Sequence, residues 1–251
     1  MEILGVRVDN LTKKEIVEKI ESFLDEPKFH QICTVNAEFV LEAQKNELFK
    51  NILSQADLNV ADSISMSYAF LRYGKWLKCR FAGADLMHAI LKIANKKKLG
   101  VFLAANRNGL STWEETAAAL RKIYPSIIFG GDNINFSCHS GLDLESKQIL
   151  KQVQDDKVNL PAYQILFCSL GAPDQELFIN KLKSDSIRLA MGVGGAFDFV
   201  TGKLRRAPGI WRKIGMEWLW RFIQEPRYRA RRIFNAVIVF SIEILFNFNE
   251  K

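Results

Sequence analysis

Two glycine turns between residues 163 and 208 have the composition of an anion site. An apolar run at 165–170 ends at Gly171 and is followed by Pro173, Asp174, Gln175 and Glu176. A second run, 189–193, enters Gly192, Gly194 and Gly195, then Asp198. Proline at a first helical position and acids in a first turn are helix-start signals. The stretch therefore reads as two buried strands whose carboxyl ends open into glycine-rich turns. Glycine lets the backbone come close to an anion, and N–H groups at a helix start point towards it. Open α/β sheets bind ligands at such strand ends. This stretch supplies half a site, and the rest of the chain must supply the other half.

Two earlier apolar runs end in residues that can do chemistry. Residues 30–35 end in Thr34-Val35-Asn36, and residues 58–61 end at Asp62. In a parallel sheet these ends share an edge with the glycine turns, so hydroxyl, amide and carboxylate can converge. Two readings stand for Asn36 and Asp62: site residues, or caps of the helices that follow them. Residues 75–80, KWLKCR, form a basic loop leading into Phe81-Ala82-Gly83-Ala84-Asp85-Leu86. Gly83 suits a tight turn, and Asp85 is expected to begin a helix to about Lys97. Taken alone, Arg80 is a surface arginine.

The elements that must hold these residues alternate along the chain. Residues 3–8 read as a strand, and Thr12-x-x-Glu15 is a capping-box pattern before a helix to about Leu24. Helical patterns follow at 39–48, 63–71 and 85–97. Residues 100–105 are a buried strand, Ser111 is the expected cap of a helix to Tyr124, and 127–129 are a short strand before Gly130-Gly131. A helix is expected over 143–158. Strand and helix patterns at this spacing predict an α/β fold with a mostly parallel sheet flanked by helices. The pattern changes near residue 205. Residues 1–205 read as the core, and 206–251 as a helical, basic and aromatic C-terminal appendage.

Composition narrows the partners. The chain has 251 residues, 48% of them hydrophobic, enough for a core of ordinary size. Its four cysteines are scattered without a C-x-x-C pair, which fits a reducing compartment better than a disulfide framework or a zinc site. His30, His88 and His139 have no ligand spacing, so no metal site is expected. The first ten residues lack the basic start and apolar run of a signal peptide. Net charge is +7, yet residues 203–232 hold ten Lys and Arg against two Glu, so the remainder carries −1. Trp211, Trp218 and Trp220 lie in the same segment. It reads either as a solvated basic helix or, with tryptophan and arginine interleaved, as a surface for lipid headgroups, a phosphorylated substrate or nucleic acid. No RNA- or DNA-binding motif is present, so nucleic acid is not an expected partner. Residues 233–248 are strongly apolar but fall short of the roughly 20 residues needed to span a bilayer. They can form a helix docked on the core, a subunit contact that would make a homo-oligomer, or an interfacial helix.

In combination these motifs resemble the WecG/TagA/CpsF glycosyltransferases, glycosyltransferase family 26. The matching pieces are Thr34-Val35-Asn36, Ala61-Asp62, Arg80-Phe81-x-Gly83-x-Asp85-Leu86 and Leu170-Gly171-Ala172-Pro173-Asp174-Gln175-Glu176. Next come Gly192-Val193-Gly194-Gly195-Ala196-Phe197-Asp198, Arg206-Ala207-Pro208 and Gly215-Met216-Glu217-Trp218-Leu219-x-Arg221, followed by Glu225-Pro226-Arg227. They keep their order from Thr34 to Arg232. Three places depart from the family pattern: Ser63 stands where glycine is usual, Leu103-Ala104-Ala105-Asn106 lacks the expected glycines, and Asp174 stands where lysine is usual.

The resemblance implies a Rossmann-like core and an inverting, metal-independent bacterial enzyme without a cofactor. Its donor substrate would be a UDP-sugar, carrying N-acetylmannosamine or a related hexose. Its acceptor would be a polyprenyl-diphosphate-linked saccharide used in cell-surface polysaccharide or teichoic acid synthesis. The enzyme would act on the cytoplasmic face of the cell membrane, held there peripherally by the C-terminal appendage. Asp62 matches the family's proposed base, and Arg80 an active-site arginine that meets the leaving diphosphate. Thr34, Asn36 and Gln175 match polar residues that hold sugar and acceptor. Gly194 and Gly195 would admit the nucleotide, and Arg221 and Arg227 would reach the diphosphate or the headgroups. Two rival readings are a different sugar, such as glucose for an exopolysaccharide, and a non-catalytic nucleotide or polyanion binder.

Overall fold

Alternate residues of the central strands face opposite ways, and both ways are apolar. Ile165 and Phe167 enter one buried cluster, while Leu166 and Cys168 enter another. Strands buried on both faces need helices on both sides. The computed structural model describes residues 1–137, 141–142, 163–184, 186–224 and 226–246. Along the described chain the first elements are β1 (Glu2–Ile3), β2 (Val6–Arg7), α1 (Lys13–Asp25), β3 (His30–Val35), α2 (Ala37–Ala43) and α3 (Glu47–Gln55). Next come β4 (Leu58–Ala61), α4 (Ile64–Arg72), α5 (Gly83–Lys97), β5 (Gly100–Asn106), α6 (Trp113–Ile123) and β6 (Ile128–Ile134). A small antiparallel pair, β7 (Phe136–Ser137) and β8 (Gly141–Leu142), precedes β9 (Ile165–Cys168), α7 (Asp174–Leu182), β10 (Leu189–Gly192) and α8 (Ala196–Val200).

Six strands form one parallel sheet in the order β4-β3-β10-β9-β5-β6. The chain leaves β4 through α4 and α5 and re-enters on the far side at β5. The later strands β9 and β10 fill the gap between. This is the expected Rossmann-like arrangement, and its crossover places the carboxyl ends of β3 and β10 side by side. Helices α1, α5 and α6 cover one face through Ile16, Ile20, Leu86, Ile90 and Leu120. Helices α2, α3, α4 and α7 cover the other through Val40, Phe49, Phe70 and Phe178.

Several local expectations are corrected. Residues 3–8 form a hairpin, because a turn at Leu4-Gly5 folds β2 back antiparallel on β1. Gly130 and Gly131 do not end a strand but lie inside β6. A Cβ at Gly131 would stand 2.3 Å from the Leu103 carbonyl oxygen, so crowding across the sheet explains the glycine. Helix α5 begins at Gly83, two residues before Asp85. The cap of α6 is Thr112, which forms a reciprocal capping box with Glu115. Ser111 instead donates to Asp198 Oδ1 at 2.7 Å and lies 2.8 Å from the Thr201 hydroxyl. The helix expected over 143–158 lies outside the described residues.

The C-terminal segment is helical, as α9 (Gly209–Lys213), α10 (Glu217–Gln224), α11 (Pro226–Phe234), a π-helical turn (Asn235–Val239) and α12 (Phe240–Phe246). Phe240 and Ile244, four residues apart on one face, are fully buried in the cluster containing Val35, Phe39 and Phe70. That face is docked on the core. The other side leaves Val237, Ile238, Ile242, Leu245 and Phe246 exposed. Among the described residues no helix is long and apolar enough to cross a membrane.

Candidate active site

The sheet's carboxyl edge gathers the early polar residues around the start of α5. Asp62 follows β4 directly, and its N–H donates to the Val35 carbonyl at 2.9 Å. Its side chain does not cap the helix after it. Ser63 occupies the N-cap position of α4 without a side-chain cap bond, and its hydroxyl lies 2.5 Å from that of Ser65. Asp62 Oδ1 instead accepts the N–H of Gly83, the first residue of α5, at 3.0 Å. The N-cap position of α5 is Ala82, which has no side chain able to accept, so the carboxylate satisfies a donor otherwise left open. It also stands at the positive end of a 15-residue helix. Thr34 is buried beside this turn, since a Cβ on Gly83 would lie 3.4 Å from the Thr34 hydroxyl oxygen. Asn36 behaves as a cap: its Oδ1 accepts from Glu38 N–H at 2.9 Å and Phe39 N–H at 3.2 Å. Only its Nδ2 donor remains to face a ligand.

The two glycine turns are joined by one side chain. Gln175, buried in the first turn of α7, accepts the Gly194 N–H on its Oε1 at 3.0 Å and donates from Nε2 to Glu176 Oε1 at 2.7 Å. Both ends of the amide therefore hold protein groups. Glu176 is buried with its second oxygen unpartnered, and burial pushes its carboxyl up to about 8 despite the bond from Gln175. Burial thus favours its protonated form. Gly194 adopts a positive φ of 49°, and a Cβ there would meet open space, so the turn is set by backbone conformation and faces outward. Gly195 occupies the N-cap position of α8.

Cations reach this edge from two directions. Arg80 is half-buried and donates to the carbonyl oxygen of Arg212, at the end of α9. The basic loop and the appendage thus meet at the site. Arg221 lies on α10. Arg227 is exposed on α11. Among those residues no group of three or more His, Cys, Asp or Glu is placed to share a metal ion. Sequence reasoning assigned no role to Glu176, Asp85 or Arg206. Each stood inside a quoted motif, which was the available signal.

The glycosyl transferase WecG/TagA/CpsF family description matches residues 1–251. The chain belongs to this glycosyltransferase family. Two relatives from Staphylococcus aureus carry the name N-acetylglucosaminyldiphosphoundecaprenol N-acetyl-beta-D-mannosaminyltransferase. The protein from strain MRSA252 is 34% identical over 228 residues, 88% of this chain and 83% of the relative. The protein from strain MW2 is 33% identical over 232 residues, 90% of this chain and 85% of the relative. In this WecG/TagA/CpsF glycosyltransferase, the carboxylate of Asp62 and the outward glycine turn at Gly194 lie along the same edge of the sheet.

Proposed function

We propose that this protein transfers N-acetylmannosamine, or a closely related hexose, from a UDP-sugar to a polyprenyl-diphosphate-linked N-acetylglucosamine. The reaction inverts the anomeric centre in one displacement and needs no metal. The acceptor hydroxyl oxygen bonds to the anomeric carbon as the bond from that carbon to the UDP oxygen breaks. Asp62 takes the hydroxyl proton. Arg80 and the turn N–H groups meet the negative charge that grows on UDP. The names of the staphylococcal relatives support the acceptor and the sugar. The observation that carries the reading on this chain is a carboxylate held against Gly83 N–H at the carboxyl edge of a parallel sheet, next to a cationic loop.

The enzyme works at the cytoplasmic face of the membrane and is held there by its appendage. Supporting this are the basic segment at 203–232 and the exposed apolar side of the final helix. To test the reaction, the protein is incubated with a panel of UDP-sugars and a lipid-diphosphate N-acetylglucosamine acceptor, with a chelator present. Turnover of UDP-N-acetylmannosamine in preference to other donors is the expected result. Preferred turnover of a glucosyl donor would replace the sugar in this reading. Failure with every donor would end it.

A further inference from the structure

Arg206 stands where the core gives way to the appendage and makes contacts in both directions. Its Nη1 donates to Asp85 Oδ1 at 2.8 Å, and its Nη2 lies 2.7 Å from Oδ2 as an ion pair without hydrogen-bond geometry. Its Nε lies 3.8 Å from Glu217 Oε1 on α10, and its guanidinium sits 6.0 Å from the Phe199 ring centre of α8. Only a fifth of its side chain is exposed. Arg212, at 3.6 Å, adds a second cation to Asp85 Oδ1. Partial burial works to raise the Asp85 carboxyl, but the hydrogen bond and charge of Arg206 hold it below the usual carboxylate range. A charge-assisted hydrogen bond from a largely buried arginine is a stronger and more directional link than a surface ion pair.

Asp85 is the third residue of α5, and Gly83, the first, donates to Asp62. Arg212, whose carbonyl receives Arg80, belongs to the appendage helix α9. One helix end is thus tied on one side to the base and on the other to the segment that engages Arg80. We propose that Asp85 and Arg206 are positioning residues for sugar transfer. Their hydrogen-bonded ion pair fixes the appendage against the start of α5 and so sets the separation of Asp62 and Arg80. This rests on the roles given to Asp62 and Arg80 above. Neither Asp85 nor Arg206 needs to touch substrate.

The test is a double-mutant cycle in the full-length protein with D85A, R206A and the double variant, together with D85E. Each single alanine variant is expected to lower kcat by about 10- to 100-fold, the scale of a small misplacement of catalytic groups. The donor KM and the melting temperature should stay near wild type. The double variant should be no slower than the worse single, and D85E should recover much of the lost rate. Additive losses would mean that the two residues act separately, for instance with Arg206 binding substrate directly, and would overturn the proposal. Unchanged kcat, or a loss that follows a fall in melting temperature, would overturn it as well. Amide hydrogen exchange gives a readout that does not depend on turnover. In D85A, exchange should rise at the start of α5 and across α9 and α10 together; a rise in neither would also defeat the proposal. A wild-type protein that transfers no sugar would defeat the functional reading instead, with the exchange result still deciding whether the Asp85–Arg206 pair positions these elements.

Discussion

The side-chain oxygen of Gln175 accepts the backbone N–H of Gly194 at 3.0 Å, across 19 residues and two different strands. A single amide therefore holds the glycine turn after β10 in place from the helix after β9. Its other end is committed to Glu176. Gln175→Ala removes both bonds and leaves the part-buried Gly194 N–H and the buried Glu176 Oε1 without this partner. The expected loss of stability is about 1–3 kcal/mol. Donor affinity should weaken as well, because the Gly194 turn loses its tether. Urea unfolding and donor titration check the two effects, and a variant with wild-type values for both would show that the amide is dispensable.

Gly192 lies directly under this pair. A Cβ there would stand 2.4 Å from Gln175 Nε2 and 2.5 Å from Glu176 Oε1. These atoms are the buried heads of side chains that are fixed by their own bonds, so they cannot swing aside cheaply. Gly192→Ala should cost about 1–3 kcal/mol, the range for overpacking. It should also lower donor affinity more than a control substitution of equal stability cost placed away from this edge.

Glu176 gives the protein a pH dependence of definite sign. The folded state keeps its proton up to about pH 8, whereas an ordinary glutamate releases it near 4.5. Between those values the native state binds more protons than the unfolded one, so stability falls as pH rises. The contribution is complete below pH 4.5 and lost above about pH 8. Glu176→Gln keeps the shape and an acceptor oxygen but cannot ionise. The melting temperature of wild type should decline from pH 5 to 8.5 more steeply than that of the variant, by roughly 2–4 °C for each kcal/mol of linkage. Parallel profiles would show that Glu176 titrates as it does in water.

Much of the fold was legible because the signals are local. The apolar run that begins at Ile165 marks a buried strand, and the structure covers it on both faces. The capping box of α6 was also written in the sequence, as Thr112 with Glu115 three residues on, although Ser111 drew the assignment. Contacts between elements were not legible. Nothing near Asp62 announces that its partner is Gly83, 21 residues later, and so the cap and site readings both stood. Gly130-Gly131 resembled a turn because its cause, crowding by Leu103 and Tyr163, comes from other strands and loops. The spacing of Phe240 and Ile244 marked one helical face, but length and hydropathy do not say what covers it.

The docked face of α12 changes how membrane attachment should be tested. Deleting the appendage would expose the cluster around Phe70 that Phe240 and Ile244 seal, so lost binding could reflect unfolding. Substituting the outward residues avoids this. Ile242→Ser with Phe246→Ser should leave melting temperature near wild type, since both side chains are already exposed. Binding to vesicles containing anionic lipid should weaken by at least tenfold, because each buried CH₂ removed costs about 0.8 kcal/mol and the two substitutions remove several. Unaltered binding would leave the basic residues as the sole contact.

Asp62→Asn separates chemistry from architecture at the proposed base. An asparagine Oδ1 can still accept the Gly83 N–H that Asp62 accepts at 3.0 Å, so the start of α5 should keep its partner. The amide cannot take a proton from an acceptor hydroxyl. Turnover should fall by about 10²- to 10⁴-fold, the usual contribution of a positioned base, while melting temperature and donor affinity remain close to wild type. Asp62→Ala should be comparably inactive but less stable by about 0.5–1.5 kcal/mol, because it also leaves Gly83 without its acceptor. The comparison is decisive in either direction. If the asparagine variant retains most of its activity while the alanine variant loses both stability and activity, then Asp62 serves as the cap of α5 and the proton goes elsewhere.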